Sequence, residues 1–496
     1  MEAYKNLEAR FSDVTALNQI QSFLNWDQSV LMPQDGVHQR ARQMSVLAVK
    51  IHGLVTAPEV GDWLAKANRG ELNDWQKANL DMIARLHKRA TAVPEGLIRR
   101  KMVQASETET IWRAAKKESD FEKVRPALEE LVELVREEAE VLSGTLGVTP
   151  YESLMDHYAP GMTVAEVEGV FDDLAAFLPG FLDKVLQTQQ DTIPLPGNYN
   201  PVLQEQLCRR VAEALGFDFK KGRLDTSAHP FSMGIGDDVR VTTRYKEADF
   251  TDAMQGVAHE VGHGFYDRYT PKKWHHQPVG ASQNMGMAIH ESQSLSIDMQ
   301  LGRARPYWEF FAPMVQEFLG DGGGAHTAEN LWRHTTRVTR SLIRVESDEV
   351  TYPLHIILRM RLEKDMVAGK LAVKDLPEAW NAEMQKLIGT VPPNDAAGCL
   401  QDIHWYCGSF GYFPAYALGA IIAAQWVEKM EKDMPTVWSS VEQGDFGAFT
   451  GWLKDNVQSK ACLYTPQDLI LNVTGTRLSA APYKAHLKKR YAGDGA

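Results

Sequence analysis

A chain of 496 residues exceeds the usual size of one compact domain, and 44% hydrophobic with 24% charged residues is a composition able to bury a large core. The 53 Lys+Arg against 65 Asp+Glu give a formal charge of -12, which disfavours generic attraction to nucleic acid or an anionic membrane. Four scattered cysteines, Cys208, Cys399, Cys407 and Cys462, are too few for a disulfide framework and read as reduced thiols.

The first thirty residues carry acids throughout and lack the basic start and unbroken apolar core of a signal peptide. No run of about 18 apolar residues occurs, so no spanning helix is expected and a cytoplasmic location is the default. Helices of period 3.6 dominate residues 1–190. In one of them Leu128, Leu131, Leu134 and Val135 share a face, and Gly144 is the expected stop. The Pro/Gly-rich segment 192–201 then marks the expected boundary between an N-terminal helical lobe, 1–191, and a metal-binding lobe, 202–496. Next, β-branched residues concentrate over 239–245 behind the turn-forming 234–238, which predicts a short hairpin or very small sheet. Thr251 is the expected N-cap of a helix that runs past His263.

That helix carries His259-Glu260-Val261-Gly262-His263. One turn rises about 5.4 Å, so both imidazoles project from one face and can bind one cation. Glu260 falls beside the open coordination position, where a carboxylate deprotonates a bound water. The pattern alone arises by chance in roughly a few of every hundred chains this long, so context carries weight. A catalytic zinc needs a third protein ligand, and Glu291 is the candidate, with His290 as its rival; adjacent helical residues diverge by about 100°, so only one of them faces the metal. Asp298 and Asp348 are both candidates for the carboxylate that orients a ligating histidine. His275, His276, His326, His334 and His486 lack ligand spacing and read as ordinary surface or core residues. His404 differs, because Tyr412 and Tyr416 follow it closely, and an imidazole with phenols can donate hydrogen bonds to an oxyanion.

Six motifs in order resemble the carboxypeptidase Taq family of metallocarboxypeptidases across the whole chain. They are His229-Pro230-Phe231, the Asp238 to Thr243 run, the His259 to His263 run, His290-Glu291-Ser292-Gln293, Ile343-Arg344 with Ser347-Asp348, and Gly398 with Gln401-Asp402-Ile403-His404-Trp405. Trp26-Asp27, Met32-Pro33 and Gly36 also resemble the family's opening. Ser347 departs from the family pattern, which usually has alanine there. The resemblance implies one peptidase unit over 1–496, mainly α-helical and two-lobed, with a deep central groove and a very small β-sheet, similar to neurolysin-like and angiotensin-converting-type zincins. It implies a homodimer with one divalent ion per chain, zinc or cobalt, that releases single residues from the free C-termini of peptides.

Carried onto this chain, the resemblance makes His259, His263 and Glu291 the metal ligands and Glu260 the base. It places Arg240 and Arg344 at the closed end of the groove to receive the substrate carboxylate, a task that suits the planar guanidinium fork. From residues alone, a structural ion-pair partner is the favoured reading of either arginine. Similarity to angiotensin-converting-type enzymes adds His404 and Tyr416 as oxyanion donors, with Tyr412 nearby. An endopeptidase of the same mechanism is the alternative reading, since the metal set is silent about where a peptide is cut. A non-catalytic peptide-binding scaffold is a more distant one, and it has no need of Glu260.

Overall fold

Leu128, Leu131, Leu134 and Val135 are all buried along one face of the helix Phe121–Leu146, and each such side chain contributes about 1.5–3 kcal/mol. In the computed structural model, which describes residues 1–492, this helix runs past Gly144. It stops at Gly147, whose φ of 76° lets the chain turn left-handed and close the last turn. Gly144 stays within the helix, so the sequence expectation falls short by about one turn.

Long helices of this kind form most of the described chain. The sheet has three strands, β1 (Gly222–Thr226), β2 (Ser232–Ile235) and β3 (Asp238–Thr243), in the order β1-β3-β2. β2 and β3 form an antiparallel hairpin with Ile235 opposite Asp238, while β1 lies parallel to β3 with Gly222 opposite Val239. Val239 and Val241 of the central strand are buried.

The irregular stretch 189–200 gives way to a helix at Pro201, a residue whose fixed φ suits a first helical position. One large buried cluster takes residues from both sides of that stretch, from Trp112 to Leu487. A second cluster, with Tyr4, Leu7, Phe11 and Ile83, lies among the first helices. All four cysteines are free thiols, and three of them are buried. Among the described residues no helix is long and apolar enough to cross a membrane.

Candidate metal centre

The helix Thr251–Tyr269 begins where the Asp249 carboxylate accepts from the Thr251 amide at 2.8 Å and the Thr251 hydroxyl at 2.6 Å. Thr251 is therefore the first helical residue and not the cap; the capping oxygen comes from two residues earlier. Spacing along this helix puts His259, His263 and Asp267 on one face at intervals of four. The helix Met287–Leu295 crosses it at Gly262, where a Cβ would stand 2.6 Å from Ser294 Cα and 2.7 Å from the Gln293 carbonyl. The helix Pro414–Asp433 crosses the second at Gly419, where a Cβ would stand 2.7 Å from Glu291 Cβ. Only glycine permits either approach, and together they wedge Glu291 among three helices.

The carboxylate of Glu291 faces both imidazoles, 3.9 Å from His259 Nε2 and 3.4 Å from His263 Nε2. One ligand atom from each of the three lies within 4.8 Å of the others. Two ring nitrogens and one carboxylate oxygen form a donor set suited to a zinc-like divalent ion with an open position. Each ring is also held from behind, as metal-ligating histidines usually are. His259 Nδ1 lies 3.4 Å from Asp298 Oδ2, and His263 Nδ1 lies 2.7 Å from His290 Nδ1. Asp298 sits on a π-helical turn, Ser296–Leu301, of the kind often found at functional sites.

Negative charge dominates this corner. Burial alone would depress His259, yet its bond to Asp298 and the carboxylates of Glu291 and Glu260 together raise it to about 10. His263 is lowered instead, because burial and its two imidazole neighbours outweigh Glu291. The residues therefore fit a bound cation. Glu260 is 5% exposed, and its carboxylate makes no hydrogen bond among the described residues. It is free to accept a proton.

His290 stands one layer behind His263 and does not join the three ligand atoms. Of the two candidate orienting carboxylates, Asp298 reaches His259, whereas Asp348 does other work. Its oxygens accept from the Thr339, Val350 and Thr351 amides and brace the start of the helix Tyr352–Val367.

A second group of side chains gathers around Asp402. Arg344 donates to its Oδ1 from Nε at 3.0 Å and Nη2 at 2.8 Å, and Arg359 donates to Oδ2 at 2.7 Å. Arg359 is fully buried over the Trp380 ring, and burial lowers it to about 10. The two guanidiniums outweigh burial at Asp402 and hold its carboxyl well below the usual carboxylate range. Burial, then Arg344, lowers His404 to about 4, so its ring is neutral near pH 7. His404 Nε2 lies 3.1 Å from Tyr416 Oη. Burial raises Tyr416 to about 12 and raises Tyr412 further, so both phenols keep their protons. The Arg344 guanidinium lies 4.7 Å from the Tyr416 ring centre. The charge of Glu291 contributes to the rise of both phenols.

The two expected carboxylate-binding arginines are thus in different settings. Arg240 forms a two-pronged bond to Asp238 and stacks on Phe23 and Trp26 of the first helix, Glu2–Val30. Arg344 lies in the cluster that holds His404 and Tyr416. In both, Nε and Nη2 make the ion pair and Nη1 stands outside it. The hydroxyl of Ser347 donates to the Arg344 carbonyl at 2.6 Å and so fastens the turn that presents this arginine. His229-Pro230-Phe231 is tied to β3 by Thr242, whose Oγ1 accepts from the Phe231 amide at 2.9 Å.

Sequence reasoning missed Asp267, Ser282 and Arg359. Asp267 follows His263 by four residues, a spacing that was available to find it. Arg359 interrupts an apolar helical run, and a charge there implies a buried partner. Ser282 gives no such signal.

A family model described as carboxypeptidase Taq (M32) metallopeptidase matches residues 6–491. The chain is 36% identical over 512 residues to thermostable carboxypeptidase 1 of Thermus thermophilus, covering 99% of this chain and 98% of that protein. It is 35% identical to the solved structure of Trypanosoma cruzi metallocarboxypeptidase 1, with a TM-score of 0.96 and 99% of each chain covered. A crystal structure of an M32 carboxypeptidase from Deinococcus radiodurans gives 32% identity and a TM-score of 0.94, again over 99% of each chain.

Proposed function

We propose a division of labour among these side chains on the premise that the chain belongs to the carboxypeptidase Taq (M32) metallopeptidase family and is a metal-dependent carboxypeptidase. His259, His263 and Glu291 hold one divalent ion, zinc or cobalt. Bound there, the ion supplies Lewis acidity, polarising the scissile carbonyl and acidifying water. Glu260 takes the proton from the attacking water on its free carboxylate and passes it to the leaving amine nitrogen. Tyr416 donates its hydroxyl proton to the oxyanion of the tetrahedral intermediate. Neutral His404 and the neighbouring Tyr412 direct that proton outward, and the fixed donor costs no reorganisation as charge develops. Arg344 and Arg240 receive the C-terminal carboxylate of the peptide through the guanidinium edge left outside each ion pair.

The observation that carries this reading is the convergence of three ligand atoms within 4.8 Å near the Glu260 carboxylate, which makes no hydrogen bond among the described residues. A two-lobed body with a deep groove of the neurolysin-like and angiotensin-converting type, a homodimer and a cytoplasmic location belong to the same proposal, supported by the family resemblance. The test is to strip the protein with a chelator and add back zinc or cobalt. Release of single C-terminal residues, followed by mass, should vanish and return. Full activity in metal-free protein would sink the assignment.

A further inference from the structure

The two imidazoles at the metal centre are held from behind in different ways. His259 meets the carboxylate of Asp298 directly, at 3.4 Å. Behind His263 stands a second imidazole, with His290 Nδ1 at 2.7 Å from His263 Nδ1. The other nitrogen of His290, Nε2, lies 3.2 Å from Asp267 Oδ1, and Ser282 Oγ donates to the same oxygen. All four side chains are buried, at 8% exposure or less. Asp267 also lines a cavity of about 390 Å³ beside the first helix.

Hydrogen-bond bookkeeping gives this chain a direction. A neutral imidazole has one N–H and one lone pair. His263 must turn the lone pair of Nε2 toward a metal, so its proton is on Nδ1. Two nitrogens 2.7 Å apart share one proton, so His290 Nδ1 is the acceptor and the His290 proton is on Nε2. That N–H points at Asp267, which as an acceptor-only group fixes the order of the whole sequence. Ser282 Oγ also lies 3.4 Å from His290 Nε2, but its proton goes to Asp267, so turning the His290 tautomer over would bring two protons face to face at His263 and two lone pairs face to face at Asp267.

We propose that His290 and Asp267 are positioning residues that act through His263, holding its ring and its tautomer ready to ligate the metal. The proposal rests on His263 being a ligand. Partners of this kind typically contribute about 10–100-fold in metal affinity, even without touching the ion.

The measurement is the zinc dissociation constant by chelator competition, with the visible spectrum of cobalt-loaded protein as a second readout. His290→Leu and Asp267→Asn should each weaken zinc by about 10–100-fold. Residues in one chain couple, so the double variant should be no weaker than His290→Leu alone, whereas Asp298→Asn should add its own loss independently. His290→Asn should fall between wild type and His290→Leu, because its Oδ1 can accept from His263 but cannot reach Asp267. The cobalt spectrum should shift in His290→Leu and shift less in His290→Asn. Zinc affinity within about twofold of wild type in both single variants, or fully additive losses, would overturn the relay. Should a variant fail to fold, nitrogen-15 histidine shifts of the zinc-loaded wild type decide: His290 protonated at Nε2 supports the proposal, and His290 protonated at Nδ1 overturns it. His263→Ala is the control for the premise, since unchanged zinc affinity there would remove His263 as a ligand and leave the relay without a purpose.

Discussion

The two sides of the site are built from opposite electrostatics. Around the ligand cluster Glu260, Glu291 and Asp298 lie near His259, and their combined charge raises that ring to about 10 against the effect of burial. In the second group, two guanidiniums share the single carboxylate of Asp402, and burial, aided by their charge, lowers His404 to about 4. One side is prepared for a cation and the other for an anion. A peptide's C-terminal end needs both: a polarised carbonyl at the point of cleavage and a cationic receiver for the terminal carboxylate. Each side completes its charges with buried partners, so the polarity is set before substrate arrives.

The sharpest way to test the anionic side is to remove its base while keeping the carboxylates of Glu291 and Asp298. Glu260→Gln should retain the metal, measured by bound-ion content, and lose turnover by about a hundred- to ten-thousand-fold, because the amide keeps the shape but cannot accept the proton. Retained turnover in metal-loaded variant would erase the distinction between Glu260 and an ordinary buried carboxylate.

On the cationic side the corresponding change is Asp402→Ala, which leaves Arg344 and fully buried Arg359 without their partner. Breaking a buried pair in this way costs about 3–5 kcal/mol, read as a lower denaturation midpoint at pH 7. The effect has a pH signature. The folded carboxyl of Asp402 titrates below the unfolded value, so its contribution is complete above about pH 4 and shrinks as pH falls from there. Wild type and variant should therefore converge in acid. A midpoint difference that persists unchanged below about pH 3 would assign the loss to packing instead.

The contrast between the sides also explains what could be read in advance. Ligands on the anionic side repeat at a helical spacing, so His259, Glu260 and His263 declare themselves, and Glu291 follows from the need for a third donor. The cationic side is assembled from segments far apart in the chain: Arg344 in a short turn, Arg359 in a helix and Asp402 in a loop. No local period links them: the family resemblance brought Arg344 into view, and His404 stood out only by the tyrosines that follow it. The helices were legible from their apolar faces. Their ends were less so, because Gly144 and Gly147 look alike in sequence, and Asp249 supplies the capping oxygen of a helix that Thr251 was expected to cap. Glycines at 262 and 419 carry no chemistry of their own, and their importance shows only when the crossing helices are placed.

A smaller effect separates the two arginines. Loss of a charge-assisted pair with the substrate carboxylate is worth about 1.5–3 kcal/mol, or roughly a ten- to hundredfold change in rate. Amidating the C-terminus of a matched peptide should slow cleavage by that factor in wild type. Arg344→Ala should reduce the preference for the free acid more than Arg240→Ala, because Arg344 sits with His404 and Tyr416 while Arg240 is stacked under Phe23 and Trp26. Equal cleavage of free and amidated peptides would contradict the carboxylate-receiving role of this side. A larger effect at Arg240 would move that role to the sheet.

The smallest expected effect lies at Ser347, the position at which the sequence motif departs from the pattern it resembles. Its hydroxyl donates to the Arg344 carbonyl at 2.6 Å, but the same oxygen also accepts from the Ser347 amide at 3.1 Å. Removing the hydroxyl therefore leaves no buried acceptor unsatisfied, and Ser347→Ala should cost no more than about 0.5–1.5 kcal/mol of stability. Direction of the Arg344 side chain is set separately, by its two bonds to Asp402. The ratio of kcat/KM for free over amidated peptide should then change by less than about threefold, within the span of one weak hydrogen bond. Measuring that ratio beside the denaturation midpoint separates the two roles of the turn. A large fall in the ratio with little loss of stability would mean that the backbone turn, and not Asp402, holds Arg344 in its receiving position. The cationic side would then owe its geometry to the serine that sets this chain apart.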